Sequence, residues 1–358
     1  MSLKMGIDRV DGDFRNFALF TNISAVNSNF QSSVDIIKPK YVLAGEHGLY
    51  FEFDRGETFQ PYKDYFSGIS IFPIYPDVPN LPYEIDGIVV DIQDVGVRPF
   101  TFVYALFELI KVSKERNYRI VILDRLNPIS RSFGSASSVN DILSPYGIPF
   151  LYPFTFGELG LYFGDIIGQK VEVIPFECES EDENLDMYFS SVSLNLTTIQ
   201  SVYLYPALVL LEGLVGISVG RGTGKPFRMV GTKENYSLEL IKYLRSLNLT
   251  GLLMRETVFK PRFDVLKDEV LFGVEFFVSN IKELDVMKFG FYLFKFFVDK
   301  GFGFSLDEKN MLFIERLYKG LLGNIKDLEK FYIEEKESGL QFLNNVYNKY
   351  KIYARRCV

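Results

Sequence analysis

Short, unbroken apolar runs recur along the first half of the chain, with amphipathic stretches between them. Phe17-Ala18-Leu19-Phe20 reads as a first strand and Ser32 to Ile37 as a short helix. Tyr41 to Ala44 follows as a second strand, and Ile69 to Ile74 as a third, bounded by Gly68 and Pro76. Gly87 to Ile92 is the strongest run, and Arg119 to Asp124 is a similar one. Phe102 to Lys114 and Gly157 to Ile167 carry apolar residues at helical spacing, and Val171 to Phe176 predicts a further strand. Strands that are apolar on both faces and alternate with helices predict a parallel sheet covered on both sides.

Beyond Glu177 to Asp186 the pattern changes. That stretch is acidic and polar, and it predicts a solvated connection. After it, Tyr205 to Leu214 and Ser237 to Leu247 look helical, Leu271 to Val278 looks like a strand, and Asp285 to Lys300 is a strongly aromatic helix. That helix is expected to bury its rings within its own domain. Asn310 to Tyr353 reads as helical with polar breaks. The expected fold is therefore α/β. It combines a Rossmann-like parallel-sheet domain over residues 14–190 with a smaller α+β domain over 191–358.

Composition narrows the function classes. The 358 residues are 47% hydrophobic and 24% charged, as in an ordinary folded protein. A net charge of -7 argues against nucleic acid or an anionic membrane surface as partner. No apolar run approaches the roughly 18 residues needed to span a bilayer. The start has no apolar signal core, so a cytoplasmic protein is expected. Cys178 and Cys357 have neither metal-site nor redox spacing, and two free thiols in a reducing compartment are the expectation. The oligomeric state is not readable.

The chemistry centres on one histidine, His47, in Gly45-Glu46-His47-Gly48 at the end of the second strand. Histidine titrates near neutral pH, and a neighbouring carboxylate can share proton transfer with it. Ligands of open parallel sheets bind beyond the carboxyl ends of the strands. Two more polar clusters lie at such ends. Asp91, Asp94 and Arg98 follow the Val89-Val90 strand, and Asp124, Arg125 and Asn127 follow the Ile122-Leu123 strand. Helix capping and Asp–Arg pairing are the competing structural roles for these residues.

Several motifs fail on inspection. Gly216-Ile217-Ser218-Val219-Gly220 matches a hydrolase elbow, but the elbow's histidine must follow the serine, and the one histidine is at 47. The Gly220-Arg221-Gly222-Thr223-Gly224-Lys225-Pro226 segment lacks the first glycine and the Ser/Thr of a phosphate loop. No GxGxxG follows the first strand, and His and Cys are too few for a zinc site, so neither cofactor nor metal is expected. Carboxylate chemistry with one imidazole remains, and glycoside hydrolysis fits that inventory. Glu46, beside apolar strand residues, is the best placed general acid.

The ordered motifs AGEHGL, DIQDVGVRPFT, VILDRLNP, FTFGEL, YPALVLLEG and GRGTGKPF resemble those of the NamZ/YbbC-like exo-β-N-acetylmuramidases. The resemblance runs in register from about Phe17 to Gly231 and more weakly onward. It implies release of N-acetylmuramic acid from the non-reducing end of peptidoglycan fragments, in cell-wall recycling. It also implies a Rossmann-like domain and a smaller C-terminal domain with the active site in the cleft between them. Glu46 is then the catalytic acid with His47 beside it. Asp91, Asp94 and Arg98 match one family motif, and Asp124, Arg125, Asn127 and Pro128 match the next. Asn195 matches an asparagine of the interdomain motif, and Glu212 and Arg221 match the glycine-rich region of the C-terminal domain. On this reading Asp94 and Glu212 join Glu46 and His47 as catalytic candidates. The others are substrate-binding candidates, with Arg98, Arg125 and Arg221 available to an anionic sugar.

The chain departs from the family pattern in three places. Tyr152-Pro153 stand where a histidine-glycine pair is usual. Val219 stands where a glutamate is usual, and the interdomain motif is reduced to Ser193 to Thr197. These departures leave two alternatives open: a catalytically impaired glycan- or metabolite-binding protein of the same fold, and a hydrolase with a different sugar preference.

Overall fold

The structure is a computed structural model. It describes residues 3–54, 57–75, 81, 84–137, 147–178, 189, 191–304 and 315–353, with the side chains of 315–318 left aside. Its contacts divide into two compact units, Met1–Leu194 with Ser338–Val358, and Asn195–Glu337. The boundary lies at Leu194/Asn195 rather than at the expected 190/191. From Ser338 onward the described C-terminal residues group with the first unit.

The first unit is built on a seven-stranded sheet. A short strand, β1 (Leu3–Lys4), precedes it. The sheet strands are β2 (Phe17–Thr21), β3 (Tyr41–Ala44), β4 (Tyr62–Lys63), β5 (Ser70–Pro73), β6 (Gly87–Asp91), β7 (Arg119–Leu123) and β8 (Glu172–Ile174). Their order is β4-β5-β3-β2-β6-β7-β8, parallel throughout except for the antiparallel edge strand β4. Counted among themselves, the six parallel strands run 3-2-1-4-5-6, the order of doubly wound sheets. The order reverses between β2 and β6, where a ligand crevice is expected at the carboxyl ends. β2, β3 and β6 are buried along their whole length, as their unbroken apolar runs require.

Helices cover the sheet. α1 (Ser33–Ile37) follows β2, α2 (Phe102–Glu115) joins β6 to β7, and α3 (Phe156–Ile167) leads into β8. Phe107 of α2 meets Phe163 of α3 edge to face, with centroids 5.1 Å apart. α3 starts at Thr155 with a capping box: Thr155 Oγ1 accepts from Glu158 N, and Thr155 N donates to Glu158.

Two short strands and two cysteines change the reading of the unit's rim. β1 pairs antiparallel with β9 (Glu177–Cys178), so the acidic stretch begins as a strand; the remainder of the stretch, 179–186, lies outside the described residues. Cys178 is disulfide-bonded, which corrects the free-thiol expectation and removes the reducing-compartment argument for a cytoplasmic location. Cys357 lies outside the described residues.

The second unit has its own core. Its sheet, β10 (Met229–Thr232), β11 (Leu252–Phe259) and β12 (Leu271–Val278), is antiparallel in the order β10-β12-β11. Only β12 is legible as an apolar run. β11 interleaves charges with apolar residues, and β10 is only four residues long. α4 (Ile199–Leu208) starts earlier than the apolar run because Thr198 caps it, and the chain then tightens into a 3-10 turn over Val209–Gly213. α5 (Ser237–Ser246) and the aromatic α6 (Val286–Asp299) complete the core. Phe289, Phe291, Phe294 and Phe297 are buried there, Phe289 against Phe276 of β12 at 4.9 Å. α7 (Glu315–Gly323) and α8 (Leu328–Phe342) follow, and the chain re-enters the first unit within α8. Among the described residues no helix is long and apolar enough to cross a membrane.

Candidate active site

The carboxyl ends of β3, β2, β6 and β7 form a continuous polar crest, because register places them side by side. Phe20 pairs with Leu43, Thr21 with Asp91, and Val90 with Ile122. The next residues along each strand are therefore Glu46-His47, Asn22, Asp91 to Asp94 and Asp124 to Asn127.

At the end of β3 the chain turns abruptly. Gly45 packs so closely that a Cβ there would lie 2.8 Å from the Phe102 ring. Glu46 and His47 are half-buried. Glu46 Oε2 accepts a hydrogen bond of 3.1 Å from Thr101 Oγ1, at the start of α2. His47 occupies a left-handed backbone conformation, φ 77°, which a residue with a Cβ rarely adopts. Its ring is fixed by a 2.9 Å contact between Nδ1 and the Phe53 carbonyl. A carbonyl only accepts, so Nδ1 carries the hydrogen, and in neutral imidazole Nε2 is left as a proton acceptor.

Much of the rest of the crest is frame. Asp91 and Arg125 form a fully buried bidentate ion pair, Nη2 to Oδ2 at 2.9 Å and Nε to Oδ1, and the Ser33 hydroxyl adds a further bond to Oδ2. Asp124 is saturated from within the protein. Its Oδ1 accepts from Arg125 N and Gly157 N, and its Oδ2 from Thr155 Oγ1 and the Tyr353 hydroxyl. Asn127 likewise uses both ends: Nδ2 donates to the Tyr152 and Phe154 carbonyls, and Oδ1 accepts from Ile129 N and Ser130 N. Its carboxamide fits under Gly96, where a Cβ would meet Asn127 Oδ1 at 2.4 Å. Arg98 is buried, with its guanidinium on the Ile148 carbonyl at 3.2 Å and its amide on Phe150.

Asp94 differs from its neighbours in leaving one carboxylate oxygen unpartnered; burial pushes Asp124 up to about 6 as well. It is buried, and Oδ2 accepts from the Tyr152 hydroxyl at 2.7 Å and from Gly96 N at 3.1 Å, while Oδ1 has no partner. Burial pushes its carboxyl up to about 6, against the pull of the Tyr152 hydroxyl and the Gly96 and Val95 amides. Tyr152, at the position where the family pattern has histidine, is thus the direct partner of this acid. Asn22 and Gln93 also escaped sequence reasoning. Both are buried at strand ends, Asn22 with an unpartnered Nδ2 and Gln93 with an unpartnered Oε1. Asn22 directly follows β2, so the strand-end rule that selected Asp91 and Asp124 was available for it.

In the second unit, Arg221 Nη2 lies 2.6 Å from Glu212 Oε1, and the guanidinium stands 5.2 Å from the Phe227 ring. Glu212 sits on the 3-10 turn after α4. Asn195 is half-buried at the start of this unit. Gly220-to-Pro226 is a tight turn, with Thr223 Oγ1 donating to the Gly220 carbonyl and accepting from Lys225 N. Among the described residues no His/Cys/Asp/Glu group could hold a metal ion. A cavity of about 10 Å³ beside Asn127, Thr155, Glu158 and Tyr353 has the size of one water and is too small for a sugar.

Comparison with known proteins covers most of the chain. The family described as exo-β-N-acetylmuramidase NamZ, N-terminal, matches residues 17–200, and its C-terminal counterpart matches residues 203–353. The peptidoglycan β-N-acetylmuramidase NamZ of Bacillus subtilis (strain 168) is 30% identical over 324 residues, covering 82% of this chain and 77% of that protein. Two solved DUF1343 family proteins of Bacteroides fragilis NCTC 9343 share the fold. One has a TM-score of 0.76 at 21% identity over 98% of this chain and 99% of the other. The second has a TM-score of 0.73 at 23% identity over 99% of both. The chain belongs to the NamZ exo-β-N-acetylmuramidase family.

Proposed function

We propose that the protein is an exo-acting glycoside hydrolase that removes β-linked N-acetylmuramic acid from the non-reducing end of peptidoglycan fragments, with Glu46 as the general acid. The observation that carries this reading is the placement of Glu46. It is a half-buried carboxyl on the turn after β3, one strand from the sheet's switch point, oriented by Thr101, in a chain of the NamZ family. Protonation of the leaving oxygen needs such a group within reach of substrate. His47 is the orienting neighbour. Its strained backbone and its carbonyl-fixed ring present Nε2 in one direction.

Asp94 is the partner carboxyl in this scheme, as base, nucleophile or stabiliser of the positive charge that develops on the sugar. Its open Oδ1 and its value of about 6 suit a group that changes protonation near neutral pH. Asp91, Arg125, Asp124 and Asn127 serve as the frame that holds Asp94, Gln93 and the 148–155 segment in place. In the second unit, Arg221 is paired with Glu212 at 2.6 Å, and Asp264 lies 3.7 Å from the same guanidinium.

The test is release of a chromogenic aglycone from a β-N-acetylmuramide. Replacing Glu46 by Gln is expected to reduce kcat by roughly 10²- to 10⁴-fold, the usual contribution of a general acid. Equal turnover by wild type and variant excludes the role of Glu46. Binding of muramyl fragments without any turnover by the wild type identifies a binding protein instead.

A further inference from the structure

Asp94 has one carboxylate oxygen occupied and the other open, and a side chain from a distant segment decides which. Oδ2 accepts from the Tyr152 hydroxyl at 2.7 Å and from Gly96 N at 3.1 Å. Oδ1 has no partner among the described residues. The backbone of Asp94 is fixed as well. Its carbonyl accepts from Gln93 Nε2 at 2.8 Å, and the same nitrogen donates to the Leu126 carbonyl at 2.9 Å. The carboxylate is therefore hindered from turning over and exchanging its two oxygens.

Tyr152 is held as firmly. It is fully buried, its amide donates to the Gly96 carbonyl at 3.2 Å, and its carbonyl accepts from Asn127 Nδ2 at 3.1 Å. The preceding residue, Leu151, forms antiparallel bridges with Val97 and Phe133, and Arg98 N donates to the Phe150 carbonyl at 2.9 Å. The segment that carries the phenol is thus laced to the turn that carries Asp94.

Both groups on Oδ2 are donors, and a donor is best received by an oxygen without a hydrogen of its own. A proton on Oδ2 would turn the Tyr152 hydrogen away and weaken the Gly96 bond, whereas a proton on Oδ1 disturbs neither. The groups that act on the Asp94 carboxyl are neutral: the Tyr152 phenol and the amides of Gly96 and Val95. Charged side chains of the neighbouring strand ends are engaged elsewhere. Arg98 lies on the Ile148 carbonyl, Asp91 pairs with Arg125, and Asp124 accepts from four internal donors.

We propose that Tyr152 is a positioning residue: it reserves Oδ2 as an acceptor and makes Oδ1 the oxygen at which Asp94 takes up and gives up its proton. The inference rests on the glycosidase reading, in which Asp94 is the partner carboxyl. The phenol acts through Asp94 and not on the sugar.

The test is Tyr152→Phe, which keeps the buried ring and removes only the hydroxyl. Carbon NMR of labelled aspartate follows the Asp94 carboxyl against pH, its signal identified by its absence from Asp94→Asn. The wild-type midpoint is expected at about 6. In Tyr152→Phe it is expected to rise by roughly 1–2 pH units, because the lost hydrogen bond favoured the ionised carboxylate. The acidic limb of turnover moves up with it, so that kcat at about pH 6 falls roughly fivefold or more while the high-pH plateau is retained. Below the midpoint, the infrared carbonyl stretch of Asp94, taken as the difference from Asp94→Asn, is expected at higher frequency in Tyr152→Phe, since the carbonyl oxygen Oδ2 has lost a donor. An unmoved midpoint overturns the proposal, and an unshifted stretch overturns it by placing the proton on Oδ2. An equal loss of turnover at every pH also overturns it, because that marks a merely structural role. A raised midpoint and shifted stretch in a protein that hydrolyses no β-N-acetylmuramide sink the glycosidase reading and keep the assignment of the proton. Hydrolysis with an unmoved midpoint does the reverse.

Discussion

Asp94 and Asp91 lie three residues apart at the end of one strand and meet opposite fates. Asp91 is buried in a bidentate pair with Arg125, and removing one partner leaves the other's buried polar group without its counterpart. Asp94 has only neutral donors, so burial raises it from the ordinary 3.8 to about 6. Between those values the folded protein binds more protons than the unfolded chain. The contribution of Asp94 to stability is therefore fully present below about pH 4 and is lost as pH rises through about 6. A shift of this size corresponds to at most about 3 kcal/mol. Asp94→Asn is expected to reduce the fall in stability between pH 4 and pH 7, with the part due to Asp124, which burial also raises to about 6, remaining, as read from denaturant unfolding at several pH values. It also places an amide donor where Oδ1 has no partner, so the slope with pH, not the absolute stability, is the diagnostic quantity. A slope identical to wild type contradicts the assignment. For the same reason the proposed chemistry predicts an acidic limb near pH 6 in wild-type turnover that the variant does not share.

At the scale of elements, the start of α3 joins helix, crest and C-terminal segment. The Thr155 hydroxyl accepts from Glu158 N and donates to Asp124, while Glu158 Oε1 accepts from Ile352 N and the Tyr347 hydroxyl. Thr155→Ala removes a helix cap and one of the donors to Asp124. Destabilisation by roughly 2 kcal/mol is expected, a cap of about 1 plus a lost buried hydrogen bond of similar size. Urea midpoints for wild type, Thr155→Ala and Thr155→Ser measure it, with serine retaining most of the stability. A threonine here that acts through its methyl group alone would make alanine and serine equivalent. The FTFGEL motif is legible in the sequence as a helix start. Its second duty, closing the hydrogen bonding of Asp124, depends on a strand end that lies 31 residues earlier.

Across the whole molecule, the C-terminal segment completes the first unit. The Tyr353 ring stacks on Phe176 at 4.1 Å and its hydroxyl reaches Asp124. Two residues after Phe176, Cys178 is disulfide-bonded. The chain has one other cysteine, Cys357, so a bridge within one chain leaves no free thiol. Thiol titration of the unfolded, unreduced protein is expected to find none. Reduction is expected to lower stability by roughly 2–4 kcal/mol. Two titratable thiols per chain before reduction would remove the bridge, and with it the argument for an oxidising compartment.

The apolar runs of β2, β3, β5, β6 and β7, and the helical spacing of α2 and α3, are written in local composition, because a strand buried on both faces needs a continuous apolar stretch. That pattern, with the rule that parallel sheets bind at their carboxyl ends, also singled out Glu46, His47 and Asp94, the residues of the proposed site. β11 was hidden because a strand in the small sheet's exposed edge carries charges on its open face. Whether a strand-end aspartate is frame or chemistry was equally invisible. Asp91, Asp94 and Asp124 follow similar runs, and only their partners separate them: a guanidinium, a phenol with one oxygen left open, and four internal donors. Those partners are brought in by residues distant in sequence, Arg125, Tyr152 and Tyr353. The type of each element was thus determined by neighbours along the chain. The protonation and the use of each side chain were decided by neighbours in space, because desolvation and hydrogen bonding act over a few ångströms whatever the separation in sequence.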